Sequence, residues 1–323
     1  MASSIIEVDQ LTKTFKGDVQ AVKGVSFFVK EGEFFAFLGP NGAGKSTTVQ
    51  MITTLLKPTS GVAKVAGYDV DRQPERIREQ IGVALQETGI DPGLTGRELL
   101  EMQARLFGFK TKDANKRANE LLELVGLTGD ADRRCGKYSG GMRRRLDLAL
   151  TLVQKPKILF LDEPTTGLDP ANRKIIWDEI RYLNKEIGTT IFLTTQYLEE
   201  ADQLADRISI INKGEIVASG TSEELKRSVG KDVVELSFSN AEETRRAAGC
   251  LSDLAEDTET LDLQLKMYLA NGTSRLSDIV RRLDQELISP VNLNVAPPTL
   301  DDVFLKVTGT QFEENNEKRR AVL

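Results

Sequence analysis

The chain has 323 residues, enough for one large domain or two ordinary ones, and 40% hydrophobic with 28% charged residues is the balance of a globular protein. A net charge of −6 and a pI near 5.2 give no basic footprint, so no nucleic-acid partner is expected. Cys135 and Cys250 lie far apart in no metal-binding spacing, which argues against a disulfide framework and for a reducing compartment.

The start, MASSIIEVDQL, lacks the basic and apolar regions of a signal peptide. No apolar run approaches the ~18 residues of a membrane span. Any membrane process served by this protein is therefore expected to need another chain to cross the bilayer.

In chain order, IIEVDQL (5–11) and GVSFFV (24–29) read as strands of an antiparallel portion, and EGEFFAFLGP (31–40) as a strand rising into a glycine-rich turn. Helical patterns follow at 73–80, 96–107, 112–125, 140–154 and 171–186. KILFLDEP (157–164) and TTIFLTTQ (189–196) are short continuous apolar runs, the mark of strands buried on both faces of a parallel sheet. RISIINKGEIVASG (207–220) reads as a hairpin turning at Lys213-Gly214. The alternation implies an α/β fold with a mostly parallel core sheet.

Beyond it, KDVVELSFS, AEETRRAAGCLSDL, TETLDLQLKMYL, SRLSDIVRRLDQEL and PVNLNV spell strand, helix, one or two strands, helix and strand. A short helix, TLDDVFLKVTG, closes this small α+β unit. The expected division is a first domain at 1–220, a linker at 221–230, an accessory domain at 231–309 and a mobile tail at 310–323.

GPNGAGKST fits the phosphate-loop pattern with Gly39, Pro40, Asn41, Gly42, Ala43, Gly44, Lys45, Ser46 and Thr47. Its glycines let successive N–H groups face a phosphate, and the following helix adds its positive end. Lys45 is expected to neutralise the β- and γ-phosphates of a nucleotide, and the Ser46 hydroxyl to ligate Mg²⁺. Asp162 and Glu163 end an apolar strand where parallel sheets bind ligands. Asp162 is read as holding Mg²⁺, directly or through water, and Glu163 as polarising the attacking water.

With YSGGMRRRL (138–146) lying between that loop and that strand, residues 4–220 resemble the nucleotide-binding subunits of ABC transporters. The resemblance implies a P-loop ATPase of the ABC type with a helical subdomain, and ATP and Mg²⁺ as its ligands. It implies that Ser139, Gly140 and Gly141 bind the γ-phosphate of ATP held by a second copy, so the working unit is a homodimer. Tyr138 and Met142 depart from the family's usual leucine and glutamine.

By the same resemblance Phe15 stacks on adenine, Gln86 senses Mg²⁺ and the attacking water, and Asp169 lies on the loop crossing the dimer interface. Gln196 stands where a histidine normally touches the terminal phosphate; the chain has no histidine. A glutamine can donate a hydrogen bond there but cannot titrate near neutrality, which implies slow turnover without a histidine-like step between pH 6 and 7.

The stretch from ASGTSEELKRSVG to APPTLDDVFLKVTG is similar to daunorubicin-resistance-type subunits. That similarity implies export of hydrophobic drugs through a separate ABC-2 type permease, at the cytoplasmic face of the membrane. Lipid or polysaccharide export is the nearest alternative, and a soluble ABC ATPase acting on DNA or ribosomes a further one. The accessory domain reads as a regulatory or dimer-stabilising appendage.

Overall fold

Every residue of Phe34–Leu38 (β3), Ile158–Asp162 (β7) and Thr190–Thr195 (β8) is buried, as apolar runs without alternation require. The computed structural model describes residues 4–86, 89–229, 232–255, 257–269, 272–296 and 298–309; the tail expected at 310–323 lies outside them. Within these residues two compact units divide between Ser219 and Gly220.

The first unit opens with β1 (Ser4–Phe15) and β2 (Val19–Lys30), an antiparallel pair. After β3 come α1 (Lys45–Ile52), β4 (Ser60–Val65), β5 (Tyr68–Asp69), α2 (Pro74–Arg78) and β6 (Ile81–Ala84). Then α3 (Gly96–Leu106), α4 (Thr111–Leu124) and α5 (Gly140–Thr151) lead to β7. Helix α6 (Pro170–Lys185) precedes β8, and α7 (Leu198–Leu204), β9 (Arg207–Asn212) and β10 (Glu215–Gly220) follow it.

Two sheets result. The antiparallel one runs β2-β1-β4-β5, as expected near the start of the chain; β4 and β5 have no counterpart in the sequence reading. The other runs β10-β9-β3-β8-β7-β6, and its pairings from β9 to β6 are parallel. The β9–β10 turn falls on Lys213 and Gly214, both at positive φ (49° and 86°), the backbone that two-residue hairpins prefer.

Alternate residues of the parallel strands feed two cores. Phe34, Leu159, Leu161, Ile191 and Leu193 pack with α3, α4, α5 and α6 on one face. Phe35, Phe37, Ile158, Phe160 and Phe192 pack with the antiparallel sheet and α1 on the other. There the Phe192 ring centroid lies 5.3 Å from that of Phe35, 5.4 Å from Phe160 and 5.8 Å from Phe27 and Phe37. Thr95 starts α3 with a capping box closed by Glu98.

The second unit begins with α8 (Ser222–Val229), so the segment expected as a linker is helical. Strands β11 (Asp232–Ser237), β12 (Asp257–Leu261), β13 (Gln264–Leu269) and β14 (Asn292–Ala296) form an antiparallel sheet in the order β12-β13-β11-β14. TETLDLQLKMYL thus gives two strands. Helices α9 (Ala241–Leu251) and α10 (Gly272–Gln285) supply Ala247, Leu251, Ile279 and Leu283 to its core. Helix α11 (Leu300–Thr308) meets α8 through Lys306, whose ammonium donates to the carbonyls of Ser228 (2.7 Å) and Val229 (3.2 Å).

The aromatic cluster makes a stability prediction. Phe192→Ala empties its centre and is expected to cost about 3–5 kcal/mol, read as a lowered urea midpoint with an unchanged slope.

Candidate active site

Strands β3, β6, β7 and β8 end on one edge of the parallel sheet, where their loops converge. The β3 loop is held tightly on both sides. The Gly39 N–H donates to the carbonyl of Thr195, the last residue of β8 (3.2 Å), and the Gly214 N–H donates to the Ala43 carbonyl (3.0 Å). Gly44 sits at φ 103° just ahead of α1, and a Cβ there would lie 2.5 Å from the Ala21 carbonyl oxygen. Asn41 and Gly42 form the exposed crown of the turn, while Ser46 and Thr47 start α1 half-buried.

Lys45 points back under this loop and is 4% exposed. Its Nζ donates to the carbonyls of Gly39 (2.8 Å) and Pro40 (3.1 Å) and lies 3.0 Å from Glu163 Oε1. The loop and the Asp-Glu strand therefore meet through a buried ion pair. Gln86, just past β6, donates from Nε2 to Glu163 Oε2 (3.4 Å), and the Thr166 hydroxyl approaches the same oxygen (3.3 Å). Glu163 itself has φ 50°, a left-handed backbone disfavoured for a residue with a side chain. Its N–H donates to both the carbonyl and the hydroxyl of Thr194 (3.1 Å each), which pins that conformation.

Beside the pair, the Ser46 hydroxyl donates to Asp162 Oδ1 (3.1 Å), and the Thr194 hydroxyl donates to the same oxygen. A carboxylate, a hydroxyl and a neighbouring amide suit a hard cation completed by phosphate oxygens, better than a site built from protein ligands alone. No cluster of three or more acidic, cysteine or histidine ligands occurs among the described residues. A buried ammonium beneath a glycine loop at a helix N-terminus suits an anion with several oxygens.

The remaining expected residues lie at the ends of β8 and β1 and at the starts of α5 and α6. Gln196 follows β8 directly and is half-buried; its side chain makes no hydrogen bond among the described residues. The turn it occupies is shaped by Thr195, whose hydroxyl accepts from the Tyr197 N–H (2.8 Å), and the Arg173 guanidinium stacks 4.1 Å from the Tyr197 ring centre. Phe15 ends β1 with its ring 43% exposed and the Lys13 ammonium 5.4 Å above it.

Ser139 caps α5, accepting from the Met142 N–H (3.2 Å), and Asp169 caps α6, accepting from the Asn172 N–H (3.0 Å). That bond from the Asn172 backbone holds the Asp169 carboxyl below its ordinary range. A Cβ on Gly141 would lie 2.6 Å from the Asn172 side-chain oxygen, so Ser139, Gly140, Gly141 and Asp169 adjoin one another. Among the described residues no hydrogen bond joins them to the Lys45–Glu163 pair.

The sequence reading missed Thr194, which donates to the Asp162 carboxylate and accepts from the Glu163 N–H, because a threonine inside an apolar strand reads only as a strand former. It also missed Glu200. This carboxyl is fully buried on α7, where it accepts from the Thr165 hydroxyl and the Trp177 indole (2.8 Å each). Burial raises its pKa. The segment after Gln196 is thereby fastened to the loop after Glu163.

Two more carboxyls bear on the expected pH behaviour. Burial pushes Asp147 up to about 6 and Glu179 up to about 7. The lack of histidine does not leave the range between pH 6 and 7 free of titrating groups.

Comparison with known proteins shows the family. Residues 22–166 match the family model of the ABC transporter, and residues 220–308 match the DrrA1-3-like ATP-binding protein C-terminal domain. The chain is 42% identical over 321 residues to the daunorubicin/doxorubicin resistance ATP-binding protein DrrA of Streptomyces peucetius, covering 98% of this chain and 96% of that one. It is 36% identical over 313 residues to the linearmycin resistance ATP-binding protein LnrL of Bacillus subtilis, covering 96% and 100%. A solved dimeric ATP-binding cassette in a post-hydrolysis state with ADP and phosphate is similar at 30% identity and a TM-score of 0.62, over 67% of this chain and 98% of that one.

The buried Glu179 carboxyl gives a pH prediction. The folded chain holds its proton up to about pH 7, whereas the unfolded chain releases it near 4.5. Its contribution to stability therefore declines as pH rises between those values and is level above them. Glu179→Gln is expected to remove that part of the slope in urea unfolding from pH 5 to 8, and to gain on the wild type at the upper end.

Proposed function

Because the chain belongs to the ABC transporter family of ATP-binding subunits, we propose that it powers efflux of hydrophobic drugs or antibiotics through a separate ABC-2 type permease. The observation that carries the reading is identity to drug-resistance ATP-binding proteins across both units, 42% over 98% of the chain in one case. No helix among the described residues is long and apolar enough to cross a membrane. The transmembrane path is therefore assigned to the permease, with this chain at its cytoplasmic face.

The chain is an ATPase, and its groups divide the work of phosphoryl transfer between charge neutralisation and aiming of water. Lys45 would take the charge of the β- and γ-phosphates. Glu163 polarises the attacking water, and Gln86, bonded to it, orients the same water. Mg²⁺, when bound, supplies further neutralisation of phosphate charge; Ser46 and Asp162 would hold it, with Gln86 beside them. Gln196 would donate its amide N–H to a γ-phosphate oxygen. Phe15 offers a ring for adenine.

We assign the working state to a dimer of two such subunits. Support comes from Ser139, Gly140, Gly141 and Asp169, which cluster at adjoining helix N-termini without a bond to their own Lys45–Glu163 pair. Backbone N–H groups in that position suit the γ-phosphate of a nucleotide on a second copy. Closing and reopening such a sandwich is a stroke that a permease can use.

Purification from membranes tests the transport reading: a permease is expected to co-elute, and a monodisperse soluble protein without a membrane partner would overturn it. For the chemistry, Glu163→Gln should cut turnover at least about 100-fold while ATP still binds, with an ATP-bound dimer accumulating in size-exclusion chromatography. In steady-state assays Gln196→Ala should slow hydrolysis more than Gln196→His, since the histidine still offers a donor.

A further inference from the structure

Arg144 lies on α5, the helix that Ser139 caps, and is 7% exposed. Its guanidinium reaches the main chain on either side of the water-aiming groups. Nε donates to the Pro164 carbonyl (2.7 Å) and one terminal nitrogen to the Asp162 carbonyl (3.1 Å), so the two bonds bracket Glu163. The other terminal nitrogen donates to the carbonyl of Leu85 (2.9 Å), the residue before Gln86, and to the Asp147 carboxylate (3.2 Å). One side chain thus grips the ends of β7 and β6 from the helix that carries the Ser-Gly-Gly turn.

Burying a guanidinium is costly, and a single carboxylate one turn away on the same helix would not by itself require contacts to three carbonyls. The planar fork explains the choice of arginine. It presents donors in fixed directions to several acceptors at once, which a lysine ammonium on a flexible stem cannot reproduce.

We propose that Arg144 is a positioning residue that holds the backbones of Gln86 and Glu163 in hydrolytic register with the helix headed by Ser139. Movement of that turn on engaging a nucleotide is then passed through a rigid fork to the groups that aim water. The proposal rests on the ATPase reading for its consequence, but the clamp itself rests on the three carbonyl contacts of Arg144.

Two measurements on the full-length chain separate the two. In amide hydrogen exchange without nucleotide, R144K should speed exchange at least about 10-fold in peptides spanning Leu85-Gln86 and Glu163–Leu168. D147N, which leaves the three carbonyl contacts in place, should not. In ATPase assays R144K should lower kcat at least about 10-fold with KM for ATP within about 3-fold, and D147N should stay within about 3-fold in both. If R144K does not fold, R144M/D147L removes both buried ions together and takes its place.

Wild-type exchange in R144K overturns the clamp, and so does slowed turnover without faster exchange. Equal damage by R144K and D147N would reduce Arg144 to a stabilising ion pair and overturn it as well. If the wild type hydrolyses no ATP while exchange responds as expected, the ATPase reading falls and the clamp stands.

Discussion

The contact between Lys45 and Glu163 is the constraint around which the first unit is organised. An ammonium and a carboxylate 3.0 Å apart and almost wholly removed from water gain little net stability, because desolvation offsets most of their attraction. Such a pair persists only where the backbone leaves no alternative. Here the glycine loop brings Lys45 in from β3, the left-handed turn brings Glu163 in from β7, and the strand between them, β8, supplies Thr194 and Thr195 to hold both. A polyphosphate entering the loop would compete with Glu163 for the ammonium. On the proposed role of Glu163, binding would free its carboxylate to polarise water, and recognition and activation would share one charge.

What surrounds the pair is less an active-site surface than a set of fasteners between strand ends. Thr194 ties Asp162 to Glu163, Glu200 ties α7 to the loop after Glu163, and Arg144 ties α5 to the ends of β6 and β7. Each is a polar group bought into a dry place with several hydrogen bonds. Removing one partner of such a network leaves the others unsatisfied, at about 1–3 kcal/mol per buried group. Stability and chemistry are therefore coupled at this edge of the sheet in a way they are not in the phenylalanine cluster below it.

This also decides how much could be read from the chain. The parallel strands were legible because burial on both faces leaves no polar residue to interrupt the apolar run, as in KILFL. The phosphate loop was legible because only glycine tolerates the backbone at Gly44 and the close approach at Gly39. Strand β4 was not, since its burial alternates poorly and its residues face solvent over SGV. Segment 221–230 looked like a polar connection, yet within it Leu225 and Val229 lie four residues apart on one buried stripe, which makes Ser222–Val229 a helix of the second unit. Thr194, Arg144 and Glu200 were missed for a shared reason: the contacts that matter at this edge are to backbone atoms or to residues distant in sequence.

The glutamine at position 196 makes these fasteners matter more. A side chain that donates a hydrogen bond but cannot carry a proton near neutrality contributes only by where it is held. Its turn is held by the Thr195 hydroxyl, by Tyr197 against Arg173, and by Glu200 one helical turn on. On the proposed role of Gln196, with no imidazole in the chain, this position would act through preorganised placement rather than proton relay. The carboxyls that burial raises to about 6 and about 7, Asp147 beside Arg144 on α5 and Glu179 on α6, belong to helices of the scaffold, so pH can act on placement there.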